Sequence, residues 1–423
     1  MTEEFLQYVW EHALFEKEDL VTTNSEPIEI LNPGTRNTDA GPDFFNASIK
    51  IGKTLWAGNV EVHLQSSDWL THGHQNNPSY NNVILHVVLN NNKEIAQNGK
   101  EIIPVFIPSI KPDVVDNYSH LISQKSWPAC FETIGEIDKI YLYNAFDSLL
   151  VERLEQKTSF IVKTLLDNKN NWNETFYQHL ARSFGFKTNA LPFEMLARSL
   201  PQNILAKHKS NQFQLEALLF GQSGLLNEQL LGDDYFLKLR EEYSYLASKY
   251  QLKGMEGHIW KFLRMRPSNF PTIRIAQFAA LLHQSESLLS KLTEAKEVKE
   301  IIKFFEVKAS EYWDTHYHFN KVSEEKPKWL GESSRNNLLT NTVAPFLFIY
   351  GERNEKDNLK QRAIDILEHL PPESNNIISR WTELGIPTKN TFDTQALIQL
   401  KNNYCENKNC LNCQIGKKII DRS

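Results

Sequence analysis

Residues 43–65, DFFNASIKIGKTLWAGNVEVHLQ, hold two strand-like runs separated by a Gly52-Lys53 pair. Two such runs joined by two turn residues fold back as an antiparallel hairpin. Side chains alternate along a strand, so Glu61 and His63 share one face while Val60, Val62 and Leu64 occupy the other. This predicts a site at the surface of a half-buried sheet. Asp43 begins the first run, and the hairpin turns it toward Glu61 and His63. Convergent carboxylates hold a hard divalent ion, Mg2+ or Mn2+, through oxygen and leave positions for water and a phosphate.

Around this hairpin the chain changes character twice. Phe5, Tyr8, Val9, Trp10, Ala13 and Leu14 recur at helical spacing, which predicts an amphipathic opening helix with Glu11 near its buried edge. The short β-branched runs from EPIEIL (26–31) to EIIPVFIP then predict a sheet, interrupted by QSSDWLTHGHQNNPSY as a loop or broken helix. Beyond about residue 138, runs such as KIYLYNAFDSLLVERLEQKTSFIVKTLL and DDYFLKLREEYSYLASKY carry apolar residues three and four apart. The expected fold class is α+β: an αβ sheet domain over 1–135 and a mainly helical domain over 136–423 that includes a C-terminal cysteine motif.

A chain of 423 residues exceeds what one hydrophobic core supports, so at least two domains are expected. Its 41% hydrophobic content exceeds what a disordered chain carries. The opening MTEEFLQYVWEHALFEKEDL has no basic n-region, and no run of 18 or more apolar residues occurs, so neither export nor membrane insertion is signalled. The cytoplasm is the expected compartment. A net charge of -6 argues against holding nucleic acid by bulk electrostatics, though a locally basic groove beside acidic ligands is compatible with it. Arg264, Arg266 and Arg274 interleave with aromatics, and Arg182 and Lys187 lie in HLARSFGFK; ordinary amphipathic helices with solvated arginines are the expected explanation.

His63, His72, His74 and His86 crowd into one stretch of 24 residues. Together with Asp68 they offer an imidazole and carboxylate set suited to Zn2+, Mn2+ or iron, with loop polar groups and a core histidine as the plainer reading of each alone. Three of the four cysteines, Cys405, Cys410 and Cys413, stand in YCENKNCLNC near the C-terminus, and Cys130 is remote. C-x4-C-x2-C is a ligand spacing, and Cys130 would complete an all-thiolate site for Zn2+ or a [4Fe-4S] cluster.

GPDF followed by VEVH resembles the PD-(D/E)-x-K nuclease superfamily, whose core runs helix, strands, helix and strand. The resemblance implies that Asp43 and Glu61 ligate the metal, that His63 stands where the family has lysine, and that Glu11 maps to the further acid of the opening helix. Some iron-sulfur nucleases of that superfamily combine one remote cysteine with a terminal trio, a layout similar in outline. Over almost the whole chain, segments such as GPDFFNASIKI, WAGNVEVHLQSSDW, LARSFGFKTNALPFEMLARSLP, NTVAPFLFIYGE and CLNCQIG resemble the bacterial family named domain of unknown function 2851.

The resulting expectation is a metal-dependent nuclease or nuclease-like DNA-processing protein, with nucleic acid as partner. Two alternatives stay open: a non-catalytic nucleic-acid or protein-binding scaffold on the same fold, and a metallohydrolase using His72, His74 and Asp68 on another substrate.

Overall fold

A computed structural model describes residues 1–97, 101–227, 232–285 and 287–422. The chain is a mixed α+β protein that divides into two compact units. One comprises Met1–Ala145, Glu383–Ile386 and Leu400–Ser423; the other comprises Phe146–Thr382 and Pro387–Gln399. This division differs from a boundary at 135/136, because the cysteine-bearing tail returns to the first unit. Hydrogen bonds hold it there: the Tyr8 hydroxyl donates to Asp421 Oδ1 at 2.7 Å, and the Asn117 amide donates to the Arg422 carbonyl at 3.2 Å. Among the described residues no helix is long and apolar enough to cross a membrane.

The first unit opens with α1 (Glu3–Glu11), started by Thr2, whose hydroxyl accepts from the Phe5 amide at 3.2 Å. Phe5, Leu6, Tyr8, Val9 and Trp10 form its buried face. The strands are β1 (Ile28–Asn32), β2 (Thr35–Arg36), β3 (Phe44–Ile51), β4 (Thr54–Gln65), β5 (Val83–Asn90) and β6 (Val105–Phe106). They lie in the order β1-β3-β4-β5-β6, with β2 also paired to β3. The β1, β3 and β4 pairings are antiparallel, and β5 runs parallel to both β4 and β6. Gly52, at φ +58°, supplies the left-handed turn between β3 and β4. The polar stretch after β4 is a broken helix, with α2 (Asp68–Thr71) followed by 3-10 turns at His74–Asn76 and Pro78–Tyr80. It makes the crossover that parallel β4 and β5 require. β5 is buried from Val83 to Val88, as an internal parallel strand must be.

One irregularity decides what the sheet presents. Ala47 pairs with Gly58, but Phe44 pairs with Val60, so β3 carries one extra residue between those pairs. Asn46 absorbs it at φ +58°, a conformation that asparagine tolerates better than most residues. Without this bulge Asp43 would face Val62; with it, Asp43 falls opposite Glu61. A one-residue slip exchanges the two faces of a strand, so the bulge determines which side of the sheet Asp43 serves.

The face carrying Glu61 and His63 is not exposed, as a half-buried sheet would leave it. Both residues are buried, at 4% and 1% exposure, because α1 and α2 pack against β4.

The second unit is helical around one core, which includes Leu180 and Phe184 (Trp172–Phe184), Leu218 (Gln212–Gln222), Phe278 (Pro271–Gln284) and Phe346 (Ala344–Arg353). Trp313 and Phe319 of YWDTHYHF are core residues. Arg274 is buried: it donates to Asn269 at 2.6 Å, Ser334 at 2.8 Å and Gln277 at 3.0 Å and lies over the Phe186 ring. Arg182 and Arg198 pair with Glu194. These arginines are structural cations, and Arg274 offers no surface to a phosphate.

Asn46→Val, a β-branched residue at positive φ, is expected to destabilise the chain by about 1–2 kcal/mol, whereas Asn46→Gly leaves stability near wild type. Urea unfolding distinguishes the two; equal losses would show that the bulge is not held by backbone conformation.

Candidate metal centre

The centre is assembled from three pieces of chain. β4 supplies Glu61 and His63, the N-terminal end of β3 supplies Asp43, and the crossover supplies His72 and His74. Asp43 is held from several directions: its amide donates to Glu61 Oε2 at 3.1 Å, while its carboxylate accepts from the Val62 amide at 3.0 Å and from the Gln7 side chain at 2.9 Å. Asp43 and Glu61 therefore occupy one pocket, as the hairpin implies.

Two histidines converge on the Glu61 carboxylate, and a third joins them through His63. His63 Nε2 lies 3.4 Å and His74 Nε2 3.2 Å from Glu61 Oε1, and His63 Nε2 lies 3.1 Å from His72 Nδ1. One donor nitrogen from each of His63, His72 and His74 falls in a group whose members lie within 4.8 Å of one another. Two donors bound at 2.0–2.2 Å to one ion, at angles between a right angle and the tetrahedral value, stand about 2.8–3.6 Å apart. The three short separations match such edges. His74 Nε2 is buried and makes no hydrogen bond, although Glu61 Oε1 is near.

Burial sets the protonation states. Desolvation, then repulsion from His86, His72 and His74, drives the His63 imidazolium far below its ordinary range, and burial lowers His74 as well. Both rings are therefore neutral, the form that ligates metal. His63 Nδ1 lies 2.9 Å from His86 Nε2; the tautomer in which Nδ1–H donates leaves His63 Nε2 free as a ligand. Burial also pushes the Glu61 carboxyl up to about 8, and burial with repulsion from Glu61 pushes Asp43 up to about 7. A bound divalent cation reverses both shifts. Burial likewise raises Glu3, which interacts electrostatically with Asp43, His72 and His74.

Other sequence candidates lie further out. Asp68 reaches back to the end of β4, accepting from the Gln65 amide at 2.9 Å. Glu11 lies one helical turn beyond Gln7 and pairs with Arg36 at 3.8 Å. Arg36 donates to Gln7 Oε1 at 3.2 Å and offsets a small part of the rise that burial and Glu61 impose on Asp43. Sequence reasoning missed Glu3, Gln7 and Arg36. The first two had a signal: with Glu11 they form an i, i+4, i+8 stripe on α1. Trp69 and Tyr80 wall the centre, Tyr80 stacking on His74 at 3.8 Å between ring centroids. His72 is exposed, so the centre opens to solvent on its side.

A carboxyl whose folded-state pKa is raised contributes stability below its unfolded-state value, and that stability is lost as pH rises through the folded value. For the metal-free chain, the stability difference between wild type and Asp43→Asn should therefore shift against wild type as pH rises from the ordinary carboxylate range through about 7. The lowered His63 acts with the opposite sign and cancels in this difference; His74, which the Asp43 charge holds up, loses that support in the variant and shifts the difference in the same direction as Asp43. Denaturant melts across pH measure it, and saturating divalent metal should flatten the slope; a pH-independent difference would show that Asp43 is not titrating in a buried site.

No curated protein matches the chain. No solved structure matches it either. A family model does, over residues 3–376, a span that holds the whole histidine and carboxylate centre. The chain belongs to the family described as Protein of unknown function (DUF2851).

Proposed function

We propose that the first unit is a metal-dependent hydrolase of phosphodiester bonds, a nuclease or nuclease-like enzyme acting on nucleic acid. The observation that carries this reading is the meeting of Asp43 and Glu61 with the imidazoles of His63, His72 and His74 at a solvent-reaching pocket. Glu61 Oε1, His63 Nε2, His72 Nδ1 and His74 Nε2 are the proposed ligands. Asp43 stands beside them as a further ligand or as the partner of a bound water. His63 thus acts as a ligand oriented by His86, rather than as a substitute for the lysine of PD-(D/E)-x-K enzymes.

The element order supports the same reading. An opening helix, an antiparallel β1-β3-β4 set, a helical crossover and parallel β5 follow the helix, strands, helix and strand of the PD-(D/E)-x-K core. Asp43 heads one strand, and Glu61 lies on the next, as the two motifs require. When bound, the metal supplies a low-pKa water and neutralises charge on the scissile phosphate. The chain's own groups do the rest: Gln7 and the Val62 amide fix the Asp43 carboxylate, and Arg36 places a guanidinium beside it for a phosphate oxygen.

The imidazole-rich donor set favours Zn2+, Mn2+ or Fe2+ over Mg2+. That preference also suits a second reading, a metallohydrolase acting on a substrate other than nucleic acid.

The test pairs metal binding with turnover. Wild-type chain should take up Zn2+ or Mn2+ by calorimetry and cleave single-stranded DNA, duplex DNA, RNA or bis-(p-nitrophenyl) phosphate with that metal. Glu61→Ala and His74→Ala should lower both affinity and rate at least about 100-fold. Metal bound without cleavage of any of these would direct attention to the second reading or to a non-catalytic scaffold. Absence of metal binding would end the hydrolase reading.

A further inference from the structure

A second convergence of ligand-type side chains lies in the first unit, away from the sheet centre. Cys130 sits in the segment between the helix α3 (Pro112–Ser123) and Lys139, and the other three cysteines lie on the returning tail. That tail is docked on the Cys130 side. Lys408 Nζ donates to the Ile122 carbonyl at 2.7 Å, and Arg422 reaches Glu136 Oε2 at 2.8 Å.

The docking gathers all four sulfurs. In each of the six pairings among Cys130, Cys405, Cys410 and Cys413, one thiol acts electrostatically on the other. No disulfide joins them. The backbone around the trio is tightly folded: the Cys413 amide donates to the Cys410 carbonyl at 3.2 Å, and a Cβ on Gly416 would stand 2.2 Å from that carbonyl oxygen. Lys408 turns the loop at φ +52°. Four thiols so gathered offer a cationic centre a full set of thiolate ligands.

We infer that Cys130, Cys405, Cys410 and Cys413 hold an iron-sulfur cluster. A single zinc with bonds of about 2.3 Å gathers its sulfurs to about 3.8 Å. Among the described residues, a set of donor atoms all within 4.8 Å of one another is formed by the three histidines, and by no three of these sulfurs. A polynuclear cluster spaces its thiolates more widely than one ion does. The C-x4-C-x2-C run with one remote cysteine is also an iron-sulfur spacing. The cluster clamps residues 405–413 to the segment around Cys130 and so closes the first unit with its own tail. This inference is independent of the hydrolase reading, which concerns a different set of residues.

The full chain, purified anaerobically or reconstituted with ferrous iron and sulfide, tests it. The expected result is equal iron and acid-labile sulfide, about two to four of each per chain, with a visible absorption that dithionite bleaches. Sulfide identifies the cluster, because an ion held by the histidines brings none. Cys130→Ser and Cys410→Ser should each lower the sulfide at least about tenfold. Should those variants fail to fold, Mössbauer spectra of the iron-57 wild type must show sulfur-ligated iron. Proteolysis after chelation should release the tail. One zinc per chain without sulfide, or four freely reactive thiols in the native chain after reconstitution, would overturn the inference.

Discussion

The reciprocal hydrogen bonding between Asp43 and β4 is the interaction on which the centre depends. The Asp43 amide binds the Glu61 carboxylate, and the Asp43 carboxylate binds the Val62 amide. Each acid is thereby satisfied partly by the backbone of the other's strand. Two carboxylates brought together in a buried sheet would otherwise repel and lack solvation. The register that permits this pairing comes from the bulge at Asn46, so a local backbone choice places the acids beside the histidines. Natural sheets commonly use bulges in this way beside functional sites.

The crossover contributes what the hairpin lacks. A parallel connection from β4 to β5 must leave the sheet and return, and here it does so through a broken helix with a polar sequence. That path carries His72 and His74 over the end of β4 and lays Trp69 and Tyr80 against them. His86 on β5 then steadies His63 from behind. The acids and the histidines, which the sequence offered as two separate ligand sets, meet in one place because the same topology delivers both. Asp68 stays outside it, since the Gln65 amide at the end of β4 engages its carboxylate.

Much of this was legible in the sequence. Alternation gave the strands, the Gly52-Lys53 pair gave the hairpin, and helical spacing gave α1 and the helical unit. The clustering of four histidines marked a stretch of chain whose imidazoles lie together in the fold. Three things were not legible. The bulge at Asn46 leaves the alternation of β3 looking regular, so neither its existence nor the pairing it sets can be read from one strand. The burial of Glu61 and His63 depends on what packs over the sheet, and strand periodicity reports only that two faces differ. The return of Leu400–Ser423 to the first unit rests on contacts such as Tyr8 with Asp421, between residues at opposite ends of the numbering, and no local pattern encodes them.

That return has a consequence for how the chain is made. The sheet and α1 emerge early in synthesis, yet the segment that completes their unit follows the entire helical unit. Domains form as units, the N-terminal one ordinarily first. Here the first to begin is the last to finish, and a chain interrupted anywhere in its second half lacks the tail that seals the first. Folding of the first unit is therefore coupled to synthesis of the helical unit that stands between its two parts.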